Sequence, residues 1–277
     1  MTPDSASQLL NQGRLRDAIE SATAAVRSDA SNPGHRWPLA ELLCFESELE
    51  RADKQTQLLG DLEPKWVPGV VVFRHLIRAA TWRRDVFDSG RVPEFFGKPP
   101  PVLQDTLKAL VDLRAGDVVQ AAESLRQLER ERVATPGLVD DVKFAEWRDL
   151  DDLCASFLEV FYPGGIYAWV AWENIESLEL LPIKRPRDLL WRPAKISVFD
   201  GPSKEVHVPC VYEGTVHSGD ENLKLGWSTA WTSEPGHPVR GLGQKLFAAD
   251  GAEPAIREIS HLRFDHPVSL LSYEPAT

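Results

Sequence analysis

Three aspartates, Asp149, Asp151 and Asp152, form the densest carboxylate cluster of the chain. Neighbouring carboxylates can bind a divalent metal ion or act as an acid–base pair. The apolar residues from Phe144 to Phe161 recur at helical spacing, which predicts a helix there. On that helix Asp149 and Asp152 lie on the face away from the aromatic residues, and the cluster has no partnering histidine nearby. We interpret the cluster as a solvated or salt-bridged face, with a structural ionic latch and a metal site as the alternatives.

The latch alternative has natural cationic partners in a second segment. Arg185, Arg187 and Arg192 lie close together in the sequence, and a guanidinium pairs bidentately with a carboxylate and tolerates partial burial. If these arginines fold back onto the aspartates, they pin the predicted helix to the rest of the domain. Asp188 then serves as a cap or as an ion pair within the arginine-rich segment.

No other motif indicates an enzyme. Five histidines are scattered through the second half of the chain, and there is no G-x-S-x-G elbow and no Walker-type motif. Gly241-Leu242-Gly243 is an isolated G-x-G without the strand-to-helix context of a phosphate-binding loop. We therefore expect no catalytic residue, no cofactor and no metal.

Composition narrows the class of partner and the compartment. The formal net charge of -11 argues against nucleic acid and against an anionic membrane surface, because both recruit clustered lysine and arginine. The start of the chain shows no secretory signal, and the longest strongly apolar run, Ile166 to Trp172, is too short to span a bilayer. The three cysteines, odd in number and widely spaced, resemble reduced structural thiols. We expect a cytoplasmic protein.

The first half of the chain carries a helical repeat pattern. Gly13–Ala18 and Ser47–Ala52 place Leu and Ala equivalently 34 residues apart, which is the tetratricopeptide (TPR) period, and 115–122 indicates a third copy. Each copy marks the join of two helices, and one irregular helix is expected from about Gly69 to Phe87. Stacked pairs of this kind leave a concave surface on which another protein's helix can lie. An unrelated helical bundle is the alternative to a TPR-like domain, which we place at residues 1–137.

Residues 138–277 are expected to form a second domain. The predicted helix ends at Pro163-Gly164-Gly165, and beyond it the periodicity is that of strands. Strands are predicted at Ile166–Val170, Lys195–Phe199, Glu205–Val211 and around Glu258–Phe264, with a hairpin at Asp200-Gly201. The predicted fold class is therefore α+β: a TPR-like helical-repeat domain, then a smaller, mostly antiparallel, barrel-like β domain entered by one helix.

Five residues of the helical half are the best candidates for partner contacts. Tryptophan and arginine dominate interface hot spots, because they bury a large surface with few rotatable bonds or with a planar charged group. The candidates are Trp37, Trp66, Arg74, Arg78 and Trp82, and core packing is the alternative for each tryptophan.

Several uncommon residues in fixed order make the second half resemble the ImpE/TagJ family of type VI secretion accessory proteins. The resemblance rests on Arg148–Leu153, Leu158–Val160, Gly164-Gly165 with Tyr167 and Trp169, and Arg185–Arg192 including Trp191. It implies a non-catalytic adaptor. It further implies binding to the N-terminal helix of the small subunit of the contractile sheath, and a link to handling of the sheath by its AAA+ disassembly ATPase.

Two other functions stay open at this point. One is a general protein-binding scaffold unconnected with secretion, since the helical half matches the family in style and not by motif. The other is a metal-dependent hydrolase that uses Asp149, Asp151 or Asp152 with a distant histidine. This second function requires those side chains to converge in a cleft.

Overall fold

The computed structural model of the protein describes residues 5–95, 99–199, 201–232 and 234–265. Its first half is helical. The helices are α1 (Ala6–Asn11), α2 (Leu15–Ser28), α3 (Pro33–Phe45), α4 (Leu49–Leu62), α5 (Val67–Asp88), α6 (Pro101–Ala115) and α7 (Val118–Glu131). Within the described ranges, no helix has the length and hydropathy needed to cross a bilayer.

The three helix pairs join where the repeated motifs predict. Gly13 lies between α1 and α2, Ser47 between α3 and α4, and Gly116 between α6 and α7. All three have positive φ, at 79°, 55° and 85° respectively, and two of them are glycine, the residue that adopts this conformation without steric cost. The long helix α5 also lies where the sequence predicts it. Whether the pairs belong to the TPR class stays a prediction.

The second half is built on strands and one short helix. The strands are β1 (Gly137–Val139), β2 (Val142–Phe144), β3 (Trp147–Asp149), β4 (Phe157–Tyr162), β5 (Ile166–Ala171), β6 (Ile175–Leu180), β7 (Trp191–Val198), β8 (Lys204–Pro209), β9 (Thr229–Trp231), β10 (Gly241–Gly243), β11 (Phe247–Ala249) and β12 (His261–Phe264); the helix is α8 (Glu221–Lys224). The fold class is α+β, as predicted.

Eight of these strands form one antiparallel sheet in the order β2-β1-β12-β6-β7-β8-β4-β5. Two further two-stranded antiparallel sheets consist of β9 with β10 and of β3 with β11. The β7–β8 hairpin forms at the predicted Asp200-Gly201 turn, although Asp200 itself lies outside the described residues. The sheet is open between its edge strands β2 and β5, so the expected barrel-like closure is not found among the described strands.

The prediction that a helix enters the sheet domain was wrong. Residues 144–161 form the end of β2, then β3, a series of turns and most of β4. Every residue of β4 is buried, because the strand has the helical half on one face and the second core on the other. A strand buried on both faces shows a continuous apolar run, and periodicity alone cannot separate such a run from a buried helix.

The hydrophobic core does not divide at residue 137. One buried cluster joins residues of α1 to α7 with residues of the sheet, including Phe157, Tyr167 and Trp191. A second cluster lies within the sheet domain around Trp147 and Trp172. The two domains proposed from the sequence therefore share apolar packing. The domain boundary at 137/138 stays a prediction, and it does not coincide with a gap in the hydrophobic core.

Candidate interaction surface and buried ion network

Asp149, the first aspartate of the acidic cluster, is buried in β3 and does not face solvent. Its Oδ2 lies 3.0 Å from Nζ of Lys245. Its Oδ1 accepts hydrogen bonds from the hydroxyl of Tyr212 at 2.8 Å and from the backbone N–H of Asp151 at 2.9 Å. Both carboxylate oxygens are thus engaged, and the expected solvated helix face was wrong for this residue.

The other two aspartates also pair with cations. Asp151 is buried, and both of its oxygens lie within 3.0 Å of Nε of Arg240. It also accepts the backbone N–H of Gly241 at 2.8 Å. Asp152 is half-buried and lies 3.3 Å from the guanidinium of Arg148. An ionic latch therefore forms, and two of its cations, the buried Lys245 and the partly exposed Arg240, lie close to β10 in the chain.

Of the arginines expected to close this latch, Arg187 and Arg192 contact other groups and Arg185 is exposed, so the predicted pairing was wrong. Arg187 forms a buried ion pair with Glu41 of α3, with 3.1 Å between Nη1 and Oε1. Asp188 accepts hydrogen bonds from the backbone N–H groups of Lys184 and Arg185 and so caps the turn that carries them. The guanidinium of Arg192 donates to backbone carbonyls, those of Leu180, Leu181, Ile256 and Ile259.

Two of these family-motif side chains tie the sheet domain to the helices. Burial raises the pKa of Glu41, and Arg187 opposes that shift; burial also lowers the pKa of Arg187. The guanidinium of Arg187 lies over the rings of Phe73 and Trp37, at 4.6 and 5.2 Å from their centroids. Trp191 is buried in the shared core. The arginine-rich segment therefore anchors the turn before β7 onto α3.

A second ion network, centred on Glu159, crosses the boundary between the two halves. Glu159 lies in β4 with no exposed side-chain surface. Arg83 of α5 binds it bidentately, at 2.6 and 2.8 Å. The hydroxyl of Tyr167 donates to it at 2.6 Å, and Nζ of Lys245 lies 3.2 Å away. Lys245 thus bridges Glu159 and Asp149, and helix α5 is bound to the sheet through buried charge.

The electrostatics of this network favour the ionised forms of Glu159 and Lys245 at neutral pH. Burial alone would raise the pKa of Glu159, but Arg83 and Lys245 lower it to about 2. Burial would lower the pKa of Lys245, and the neighbouring Asp149 instead holds it above its ordinary value. Burial raises the pKa of Asp149, and Lys245 opposes this.

The network offers no open carboxylate for catalysis. Each aspartate of the cluster already binds a cation, and in the described part of the chain no group of three or more potential ligand side chains could hold a metal ion. The convergence in a cleft that the hydrolase alternative requires is not seen. What the arrangement can do is fix the relative position of α5, β3 and β4.

The expected concave surface of the helical half is partly occupied by the protein's own sheet domain. Helix α5 packs on β5, and a Cβ at Gly165 would lie within 3.1 Å of the side chain of Arg78. Arg78 also donates to the carbonyl of Gly164 at 3.2 Å. Near α3, Lys224 of α8 forms an ion pair with Glu46. These contacts make the covered part of the helices unavailable to a partner.

Five exposed apolar side chains of the helices lie close together in the chain, on either side of the turn between α4 and α5. Twelve large hydrophobic side chains of the described residues are exposed, and five of them lie between positions 58 and 72, each at 41–46% exposure. We name this the α4–α5 surface; it comprises Leu58, Leu62, Val67, Val71 and Val72. Clustered exposed apolar groups of this kind mark interaction sites more often than isolated ones do.

Three of the five predicted contact residues lie beside this surface. Trp66 is part of the turn between the two helices, and its ring packs edge-on against Trp37 at 5.8 Å. Trp37 is held in turn by Phe73 and by Glu41, which accepts its indole N–H at 3.1 Å. Arg74 on α5 forms a bidentate pair with Asp53 of α4, at 2.7 and 2.9 Å, with both side chains about two-fifths exposed.

The other two predicted contact residues lie apart from it. Arg78 is used in the internal contact with Gly164 and Gly165. Trp82 lies toward the end of α5, where its indole donates to the carbonyl of Val92 and the guanidinium of Arg91 lies 3.8 Å from its ring. The structure therefore does not bring the five residues into a single site.

Sequence reasoning missed the buried charges that connect the halves. Arg83, Glu159 and Lys245 were not among the predicted site residues. The signal available for Glu159 was a single charge in the otherwise apolar run of Phe157–Tyr162, since buried charges are rare unless paired. Nothing local in the sequence identifies Arg83 or Lys245 as its partners, which lie 76 and 86 positions away in the chain.

Comparison with known proteins gives a consistent result. The family model described as "ImpE protein" matches residues 141–263. The type VI secretion system accessory component TagJ of Pseudomonas aeruginosa is 33% identical over 261 residues, covering 94% of this chain and 91% of that protein. The crystal structure of protein VPA1032 from Vibrio parahaemolyticus superposes with a TM-score of 0.88 at 26% identity, covering 96% of this chain and 99% of that one.

Proposed function

The chain belongs to the ImpE family, and from that premise we propose that it is a non-catalytic accessory component of a type VI secretion system. In this proposal it binds the N-terminal amphipathic helix of the small sheath subunit. It thereby assists handling or disassembly of the sheath by the AAA+ ATPase, which it contacts directly or through the sheath. Support for the accessory role comes from the similarity to TagJ over nearly the whole of both chains.

The observation that carries the binding proposal is the α4–α5 surface. Its side chains are aliphatic, and an ion pair, Arg74 with Asp53, lies beside them. An apolar centre with a charged rim is the composition of a protein-binding surface, and an amphipathic helix presents the matching pattern at every third or fourth residue. Trp66 and Trp37 pack beneath the turn, so the surface is supported by rigid aromatic groups.

The same surface serves the scaffold alternative, in which the partner is a helix from outside the secretion system. The 33% identity to the type VI secretion accessory component TagJ favours a partner within that secretion system. The hydrolase alternative finds no support in the geometry, because the three aspartates are engaged in ion pairs with Lys245, Arg240 and Arg148.

A direct test uses a synthetic peptide with the sequence of the first helix of the sheath subunit. Its binding to the full-length protein is measured by calorimetry. Leu62→Glu and Val71→Glu each place a charge at the centre of the α4–α5 surface. Because burying an unpaired carboxylate is strongly unfavourable, we expect each to weaken binding by at least about tenfold. Val119→Glu is the matched control, since Val119 is 70% exposed on α7 and outside the surface.

Three outcomes decide the proposal. Binding by the wild type and the control, with loss in both surface variants, supports it. Absence of peptide binding at high micromolar concentration, with the circular dichroism of a folded protein, refutes the sheath-helix role. Equal weakening of peptide binding by Val119→Glu would show that the binding site lies away from the α4–α5 surface.

A further inference from the structure

We propose that a cleft between α6, α7 and the sheet domain binds an arginine side chain of a partner polypeptide. The cleft lies away from the α4–α5 surface, so this inference stands independently of the sheath-helix proposal. Its volume is about 240 Å³. That is below the roughly 300–1,000 Å³ of pockets for cofactors and other small molecules, and suits one long side chain with an adjoining apolar residue.

The walls of the cleft are apolar. Val102 at the start of α6 and Leu128 near the end of α7 contribute one side. Trp172, at the end of β5, contributes the opposite side, and Val133 at the rim is 62% exposed. The aliphatic stem of an arginine can lie along such walls while its charged end remains at the polar rim.

Three carboxylates surround the cleft, those of Asp105, Glu131 and Glu173. Asp105 pairs with the exposed Lys108, and Glu131 accepts a hydrogen bond from Gln127. Glu173 has no hydrogen bond or ion pair with any residue that the structure describes. The excess of negative charge selects a cationic occupant.

The end of α7 adds a second source of negative potential. The last four carbonyls of a helix have no intrahelical partner, and the C-terminus carries the negative end of the helix dipole. Helix α7 ends at Glu131 without a capping hydrogen bond from the next residue, unlike the other long helices of the described chain. Leu128 and Glu131, two residues of this last turn, line the cleft.

Among the described residues that line the cleft, Arg132 is the one cation, and it is already neutralised. Arg132 pairs with Glu129 at 3.0 Å and with Glu146 at 2.8 Å, and donates to the carbonyl of Trp147. Arg132 therefore does not neutralise the carboxylate of Glu173 or the negative end of the α7 dipole. A guanidinium suits the site better than an ammonium, because its five N–H donors can serve several carboxylate and carbonyl acceptors at once.

The test uses the full-length, ¹⁵N-labelled protein and two peptides, N-acetyl-Leu-Arg-Leu-amide and the analogue with neutral citrulline in place of arginine. We expect the arginine peptide to shift the amide resonances of residues 128–133 and 172–173 in a saturable way. The citrulline peptide, equal in shape, is expected to bind at least about tenfold more weakly. Glu173→Gln and Glu131→Gln are each expected to weaken the affinity for the arginine peptide about threefold to fivefold, as is typical of partly exposed ion pairs.

Glu176→Gln is the control variant, because Glu176 is an exposed carboxylate on neighbouring β6 that does not line the cleft. It is expected to leave binding unchanged. The proposal is overturned by no saturable shift at about 10 mM arginine peptide, by equal binding of the citrulline peptide, or by equal weakening in Glu176→Gln. The amide spectrum itself reports whether each variant is folded.

Discussion

Replacing Glu159 by glutamine tests whether the buried ion network holds the two halves of the protein together. The substitution keeps the shape of the side chain but removes the charge that faces Arg83 and Lys245. The folded-state pKa of Glu159 is about 2, against an ordinary value of 4.5. This lowering of the pKa corresponds to a stabilisation of about 3 kcal/mol, since one pKa unit is worth about 1.36 kcal/mol. Removal of one partner of a buried ion pair typically costs about 3–5 kcal/mol, in agreement.

The pH dependence gives the sharper test. A carboxylate with a lowered folded-state pKa contributes stability that is complete above its unfolded-state value and is lost as pH falls toward the folded-state value. For Glu159 that window runs from about pH 4.5 down to about pH 2. The difference in unfolding free energy between wild type and Glu159→Gln should therefore narrow, from about 3 kcal/mol at pH 7 to about 2 kcal/mol at pH 3.5.

Urea denaturation of both proteins at the two pH values measures these differences. Glu179→Gln is the control, because Glu179 forms a half-exposed pair with Lys195 on the sheet and should change stability by less than about 1 kcal/mol. A loss of under 1 kcal/mol in Glu159→Gln at pH 7 would refute the reasoning. So would a gap between the proteins that does not change with pH.

Three further predictions follow from the packing. Because one apolar cluster joins the helices to the sheet, urea unfolding should give a single transition, coincident by tryptophan fluorescence and far-UV circular dichroism; two separated transitions would contradict the shared core. Gly241→Ala should lower the unfolding free energy by about 1–3 kcal/mol in the same assay, because the new methyl group would lie 2.3 Å from the buried ring of Tyr212; unchanged stability would show that the ring moves freely. Burial raises the pKa of the thiols of Cys44, Cys154 and Cys210. A disulfide reagent at pH 8 should therefore modify none of them in the folded protein and all three in urea. Rapid labelling without urea would contradict their burial.

The local features of the fold could be predicted because they depend on neighbours in the chain. The helix joins at Gly13, Ser47 and Gly116 follow from short motifs, and α5 and the β7–β8 hairpin follow from periodicity and turn residues. Family membership could be predicted for a similar reason, since uncommon residues in fixed order survive as a linear pattern. These conclusions require no knowledge of which distant segments meet.

The identity of β4 and the partners of the acidic cluster depended on distant segments. Helix α5 covers one face of β4 and the second core covers the other. A strand buried on both faces does not show the alternation of apolar and polar residues by which a strand is recognised in a sequence. Asp149 and Asp151 have adjacent arginines in the sequence, yet they pair with Lys245 and Arg240.

The sequence alone determined the types and order of most elements, the family, and the absence of a recognisable catalytic motif. Only the tertiary structure decided which charges neutralise one another and which apolar helix faces remain exposed. The reason is physical: a buried charge needs an opposite charge or several hydrogen-bond partners within about 3 Å, and folding selects those partners from anywhere along the chain.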